Sequence, residues 1–164
     1  MGSLSLEPID SITAANDCIA RISGCETESE VATITRQVTQ FFELSDFIFT
    51  CLHHSGGPEH YRYLVGCDPE WVCQYLQHKW FAVDPFISYA LNNSNPILTT
   101  EIPLIRPGQQ RMVATANEYG LRWGIVVPAH SAATTWSGAL FLLTGDVLSS
   151  VQRSFDLYRY LMRA

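Results

Sequence analysis

The order of apolar and polar positions divides the chain into six helical stretches and four strands. Ile12, Ile19 and Ile22 share one face of a helix predicted over residues 10–23, which Gly24 stops. Thr27 and Glu30 form a capping-box pattern that starts a second helix, where Val31, Ile34, Val38 and Phe41 recur at helical spacing. Residues 46–53 (DFIFTCLH) are rich in aromatic and β-branched types and read as a strand. A turn-rich stretch, Ser55-Gly56-Gly57-Pro58, leads to an antiparallel partner at 61–66.

Asp68-Pro69-Glu70 announces a third helix, with a capping Asp, a Pro in the first turn and an acid near the positive helix end. That helix carries Trp71, Tyr75 and Leu76. Asp84-Pro85 repeats the signal and opens a short helix through Phe86, Ile87, Ala90 and Leu91. Residues 92–108, with Pro96, Pro103 and Pro107, are predicted as a long polar connection. Residues 109–119 look helical and end at Gly120, and 122–128 and 136–144 read as strands. A closing helix is predicted over 146–163, with Val147, Val151, Phe155, Tyr158 and Leu161 or Met162 inward. Helices on both faces of a central antiparallel sheet make this an α/β fold, an α/β/α sandwich. Periodicity leaves the strand order open.

The length of 164 residues suits a single domain, 1–164. With 47% hydrophobic and 12% aromatic residues, the chain can build a core and still line an apolar pocket. No apolar run approaches the ~20 residues that span a bilayer, so no membrane contact is expected. The first eight residues lack the pattern of a secretion signal. Five cysteines at irregular spacing (Cys18, Cys25, Cys51, Cys67 and Cys73) read as reduced thiols of a cytoplasmic protein. Net charge is −6, and Lys79 is the single lysine among scattered arginines. Such a surface repels nucleic acid, which is gripped by clustered positive charge.

The sequence offers little catalytic chemistry. It has no phosphate-cradling glycine loop and no Gly-x-Ser-x-Gly elbow. Cys67, Cys73 and His78, or the pair His53-His54, come nearest to a metal motif but lack its spacing. No catalytic residue, metal or cofactor is therefore expected. Trp71 and Tyr75 share a helical face, and Asp84 sits at the mouth of the next helix. Such groups line pockets for largely apolar ligands with one polar head. They serve equally as core aromatics and a helix cap.

In their order these residues resemble the autoinducer-binding domain of the LuxR family of quorum-sensing regulators. The run Trp71-x3-Tyr75-x8-Asp84-Pro85 resembles its signature, and Pro96 falls at the family's loop proline. Gly120, Leu121, Gly124 and Pro128 match its Gly-Leu-x-x-Gly-x-x-x-Pro run, and Gly138-Ala139-Leu140 resembles its Gly-x-Leu. The likeness spans roughly residues 28–160. It implies a five-stranded antiparallel sheet between helical layers, with an acyl-homoserine lactone buried against one sheet face. It further implies that Trp71 donates to the lactone carbonyl, Asp84 accepts from the ligand amide and Tyr75 walls the acyl pocket.

Three positions depart from the family pattern. Cys67 stands where the family has a tyrosine, Thr99 where it has a ring-packing tryptophan, and Phe141 where a small hydroxylic residue is common. Phe141 is expected to shrink the cavity. Three readings stay open: a standard lactone receptor, a receptor for another small molecule, and a ligand-independent domain filled by its own aromatics, with Trp123 and Trp136 as candidates. The resemblance implies a homodimer that reaches DNA only through a C-terminal helix-turn-helix domain, which these residues do not supply. The alternative is a stand-alone anti-activator that forms inactive heterodimers with full-length regulators.

Overall fold

A computed structural model describes residues 8–53, 60–130 and 135–159. Helix α1 (Pro8–Ile22) is followed by α2 (Glu28–Phe41), whose capping box forms as the sequence predicts. The Thr27 hydroxyl accepts from Glu30 N at 3.3 Å, and the Glu30 carboxylate accepts from Thr27 N at 3.1 Å. Strands β1 (Asp46–His53) and β2 (Arg62–Val65) pair antiparallel. The turn expected at 55–58 between them lies outside the described residues.

Helix α3 (Pro69–Gln77) begins at Asp68, whose carboxylate accepts from Glu70 N at 2.9 Å. A 3-10 turn at Trp80–Ala82 connects it to α4 (Pro85–Asn92). A two-residue strand, β3 (Ile97–Leu98), follows, then a 3-10 turn at Thr99–Glu101 and helix α5 (Pro107–Glu118). The chain closes with β4 (Trp123–His130), β5 (Trp136–Thr144) and α6 (Leu148–Tyr158).

The five strands form one antiparallel sheet in the order β2-β1-β5-β4-β3. Side chains alternate between its faces along each strand. On β4, Ile125 and Val127 join a core with α1, α2 and α6, while Val126 joins a second core with α3, α4 and α5. On β5, Leu142 belongs to the first core and Ala139 and Phe141 to the second. The architecture is the expected α/β/α sandwich.

Four local expectations are corrected. The connection at 92–108 contains β3, too short to show any alternation. Pro107 is not a loop residue but the first residue of α5, where its fixed φ suits a helix start. Ile19 is exposed, because α1 turns Ile12, Ala15, Cys18 and Ile22 toward the core and Ile19 lies a further 100° round from Cys18. Val147 is exposed because it precedes α6 and escapes the helical period, while Val151 and Phe155 do pack inward. Leu161 and Met162 lie outside the described residues, as does the side chain of Tyr158.

Candidate functional site

The core between the sheet and α3–α5 is not filled. It encloses a cavity of about 420 Å³, within the range of small-molecule sites. The sheet supplies Ile48, Thr50, Tyr63 and Phe141 to its wall, α3 supplies Trp71 and Tyr75, and α5 supplies Met112. Asp84 and the segment at 99–104 complete it. Phe141, paired with Ile48 and Val126 on the neighbouring strands, narrows the space without closing it. Trp123 also lines the cavity, and Trp136 does not.

Asp84 combines both roles its position allows. Its Oδ1 accepts from Phe86 N at 2.8 Å and Ile87 N at 3.2 Å, which caps α4. Its Oδ2 accepts from the Tyr75 hydroxyl at 2.7 Å. An ionised carboxylate offers about four acceptor positions, so three bonds leave capacity for one more donor from the cavity. Asp84 is only 8% exposed, an unusual state for a carboxylate. Burial raises its pKa, against the opposing pull of the Tyr75 hydroxyl and the two backbone N–H groups. Burial likewise lifts Tyr75 well above the usual phenol range, with the Asp84 charge adding to it.

The sign of this shift makes a test. A carboxyl whose pKa is higher in the folded than in the unfolded chain favours folding at low pH, and that contribution is lost as pH rises through the folded value. The difference in unfolding free energy, wild type minus Asp84→Asn, is therefore expected to fall as pH rises from about 4, the unfolded value, and then to level off. Urea unfolding of both proteins between pH 4 and 8 measures it. A difference that grows with pH would mean that the three hydrogen bonds outweigh burial.

Trp71 is buried at the centre of an aromatic group. It stacks on Trp80 (5.5 Å, 26°), meets Tyr75 edge-on at 5.8 Å and touches Tyr119 at 6.3 Å. His78 stacks in turn on Trp80 at 4.8 Å. Trp80 had no signal in the spacing that marked Trp71 and Tyr75. These contacts hold the Trp71 ring in place, and Trp71 lines the cavity.

The three departures separate in space. Cys67 does not line the cavity. It sits in the link between β2 and α3, where burial pushes its thiol up to about 12. That keeps it protonated and unreactive at neutral pH. Thr99 does reach the cavity, and its Oγ1 accepts from Gly124 N at 3.1 Å. Among the described residues no group of three metal-ligating side chains comes together, so Cys67, Cys73 and His78 form no site. Sequence spacing missed Thr50 and Tyr63, which stand on the inward face of the hairpin. Their signal was a polar atom at strand positions whose period-two neighbours point into the core.

Among the described residues no helix is long and apolar enough to cross a membrane. Residues 27–160 match the family model for the autoinducer binding domain. The transcriptional activator protein AhyR of Aeromonas hydrophila is 33% identical over 88 residues, a segment that is 51% of this chain and 34% of AhyR. The matched segment is thus about a third of that curated relative's length. The solved structure of CepR2 from Burkholderia cenocepacia, an N-acylhomoserine lactone dependent LuxR family factor, has a TM-score of 0.71 at 14% identity, covering 93% of this chain and 97% of that one. SdiA in complex with octanoyl-rac-glycerol has a TM-score of 0.66 at 16% identity, covering 98% of this chain and 69% of that one. The low identities show the fold alone; the family model, matched over most of the chain, shows that it belongs to the autoinducer-binding domains of LuxR-type transcription regulators, a family of ligand-binding regulators and not of enzymes.

Proposed function

We propose that the cavity between the sheet and α3–α5 receives one small amphipathic signal, an acyl chain with a polar amide-like head. The carrying observation is Asp84: a buried carboxylate with acceptor capacity left over, beside Trp71, in a wall that is otherwise largely apolar. Trp71 donates to a carbonyl of the head, and Asp84 accepts its N–H. Tyr75 orients Asp84 and flanks the chain. Phe141 limits the chain's bulk, and Thr99 borders the head in place of a stacking ring. Cys67 supplies no contact, so the site is atypical for a lactone, and heads other than a lactone fall within its range. The acyl-glycerol held by SdiA supports that breadth.

Occupancy acts through linkage, because a ligand that binds only the folded state stabilises it. The domain works in the cytoplasm, pairs with a second copy, and reaches DNA through a helix-turn-helix segment outside the residues described. Its own charge of −6 disfavours direct contact with phosphates.

The test is a thermal-shift series with acyl-homoserine lactones of several chain lengths and octanoyl glycerol. At 100 times Kd, linkage gives about 2.7 kcal/mol, or about 5–10 °C for a domain of this size. Trp71→Phe should lose most of that rise. If no compound raises Tm, the reading fails.

A further inference from the structure

Among the described residues, the cavity wall carries one acid, Asp84, and one base, Arg122. Arg122 stands just ahead of β4, and its backbone N–H donates to Thr144 O at 3.1 Å, which carries the β4–β5 ladder one residue further. The period of two therefore puts Arg122 on the face of Gly124 and Val126, and Val126 belongs to the core with α3–α5. Gly124 adds no side chain between them. Arg122 is exposed, so it borders the cavity from its rim. Among the described residues its guanidinium makes no hydrogen bond or ion pair, which leaves its N–H donors for a ligand.

Thr99 is its neighbour on this rim. Thr99 Oγ1 accepts from Gly124 N, and Gly124 lies two residues, roughly 7 Å, along the strand from Arg122. That bond uses the oxygen as an acceptor and leaves the O–H to donate, and Thr99 also lines the cavity. A cation and a hydroxyl donor thus hold adjoining positions where Thr99 borders the ligand head. A neutral ring offers them only a dipole. A carboxylate matches them, because a guanidinium can bind its two oxygens with parallel N–H bonds.

We propose that Arg122 and Thr99 form an anion subsite at the cavity rim, which selects an acyl signal whose head carries a free carboxylate, of the N-acyl amino acid class. The inference rests on reading the cavity as an acyl-signal site. The chain occupies the apolar interior, Asp84 takes the amide N–H, and the carboxylate turns to the rim. Arg122 also offsets the repulsion that Asp84 exerts on a second negative group.

The test uses a matched pair that differs in this one group: N-octanoyl-homoserine lactone and its ring-opened acid, N-octanoyl-homoserine. Octanoyl glycerol is the neutral third probe. Titration calorimetry at mildly acidic pH, where the lactone ring persists, compares wild type with Arg122→Gln and Arg122→Lys. Wild type should bind the acid about tenfold more tightly than the lactone, the size of one charge-assisted hydrogen bond. Arg122→Gln should lose that preference while holding the lactone as before, and Arg122→Lys should keep part of it. Added salt should weaken binding of the acid and leave the lactone unchanged. Without ligand, Arg122→Gln should melt as wild type does, since an exposed side chain with no bonded partner is replaced. A lactone bound as tightly as the acid overturns the proposal. So does a preference for the acid that survives Arg122→Gln or is unmoved by salt, or a clear loss of stability in unliganded Arg122→Gln, which would mean that the guanidinium serves the fold. If wild type binds none of the three probes, the signal-binding reading itself falls and the subsite with it; if it binds a neutral probe but not the acid, only the subsite falls.

Discussion

Asp84→Ala is expected to destabilise the unliganded domain by about 2–4 kcal/mol, whereas Asp84→Asn should change it by less than about 1 kcal/mol at pH 5. Alanine removes the cap of α4, which accounts for about 1 kcal/mol. It also strands the Tyr75 hydroxyl in a buried position, at about 1–3 kcal/mol. Relief of the buried charge works the other way and pulls the loss toward its lower bound at neutral pH. Asparagine keeps an oxygen for the two N–H groups of α4 and places an amide donor before Tyr75. Urea midpoints of the three proteins measure the difference. An alanine variant with the wild-type midpoint would mean that the carboxylate does not hold this geometry in solution. The same pair separates architecture from recognition: Asp84→Asn should fold well and still lose the thermal response to an amide-bearing ligand, because its amide cannot accept as a carboxylate does.

Gly124→Ala is expected to cost about 3 kcal/mol or more and to lower soluble yield sharply. A Cβ on Gly124 would stand 2.5 Å from the Leu142 carbonyl oxygen and 2.6 Å from Leu143 Cδ2. The Leu142 oxygen is backbone of the neighbouring central strand, so it cannot swing aside as a flexible side chain would. The opposite edge of Gly124 is held by its N–H bond to Thr99. Gly120→Ala is the control. Gly120 has φ +79° but nothing within 4 Å of a Cβ, so alanine there meets only backbone strain of roughly 1–2 kcal/mol. Denaturation should separate the two glycines by at least about 1 kcal/mol. A Gly124→Ala protein as stable as Gly120→Ala would show that β4 and β5 can part without loss.

What the sequence made legible is what depends on local pattern. The Thr27–Glu30 box and the two Asp-Pro helix starts form from neighbouring residues, and the structure has each in place. β3 was hidden because two residues carry no periodicity, and Pro107 because a proline in a loop and one at a helix start look alike. In the site, Trp71, Tyr75 and Asp84 were legible because helix spacing and a cap signal set them on one side. Sequence left Asp84 open between cap and pocket wall; its two oxygens allow both. Alignment by spacing also selected Cys67, but the turn from β2 into α3 takes it off the wall. Thr50 and Tyr63 escaped notice because their pairing is set by hairpin register, which no single strand records.

The short β3 has a consequence for how the domain behaves beside other copies of itself. β3 covers only Ile125 and Val126, so the outer side of β4 beyond them is an edge with no further described strand pairing. Such edges recruit foreign strands and seed aggregation. Gly124 N–H points to this side, toward Thr99, and the two-residue period turns the nitrogens of Val126 and Pro128 the same way. Pro128 thus stands just past the end of β3 with no N–H to offer a foreign strand, and the link before β3 carries on the cover beyond it, with Asn93 O bonded to His130 Nε2 at 2.8 Å.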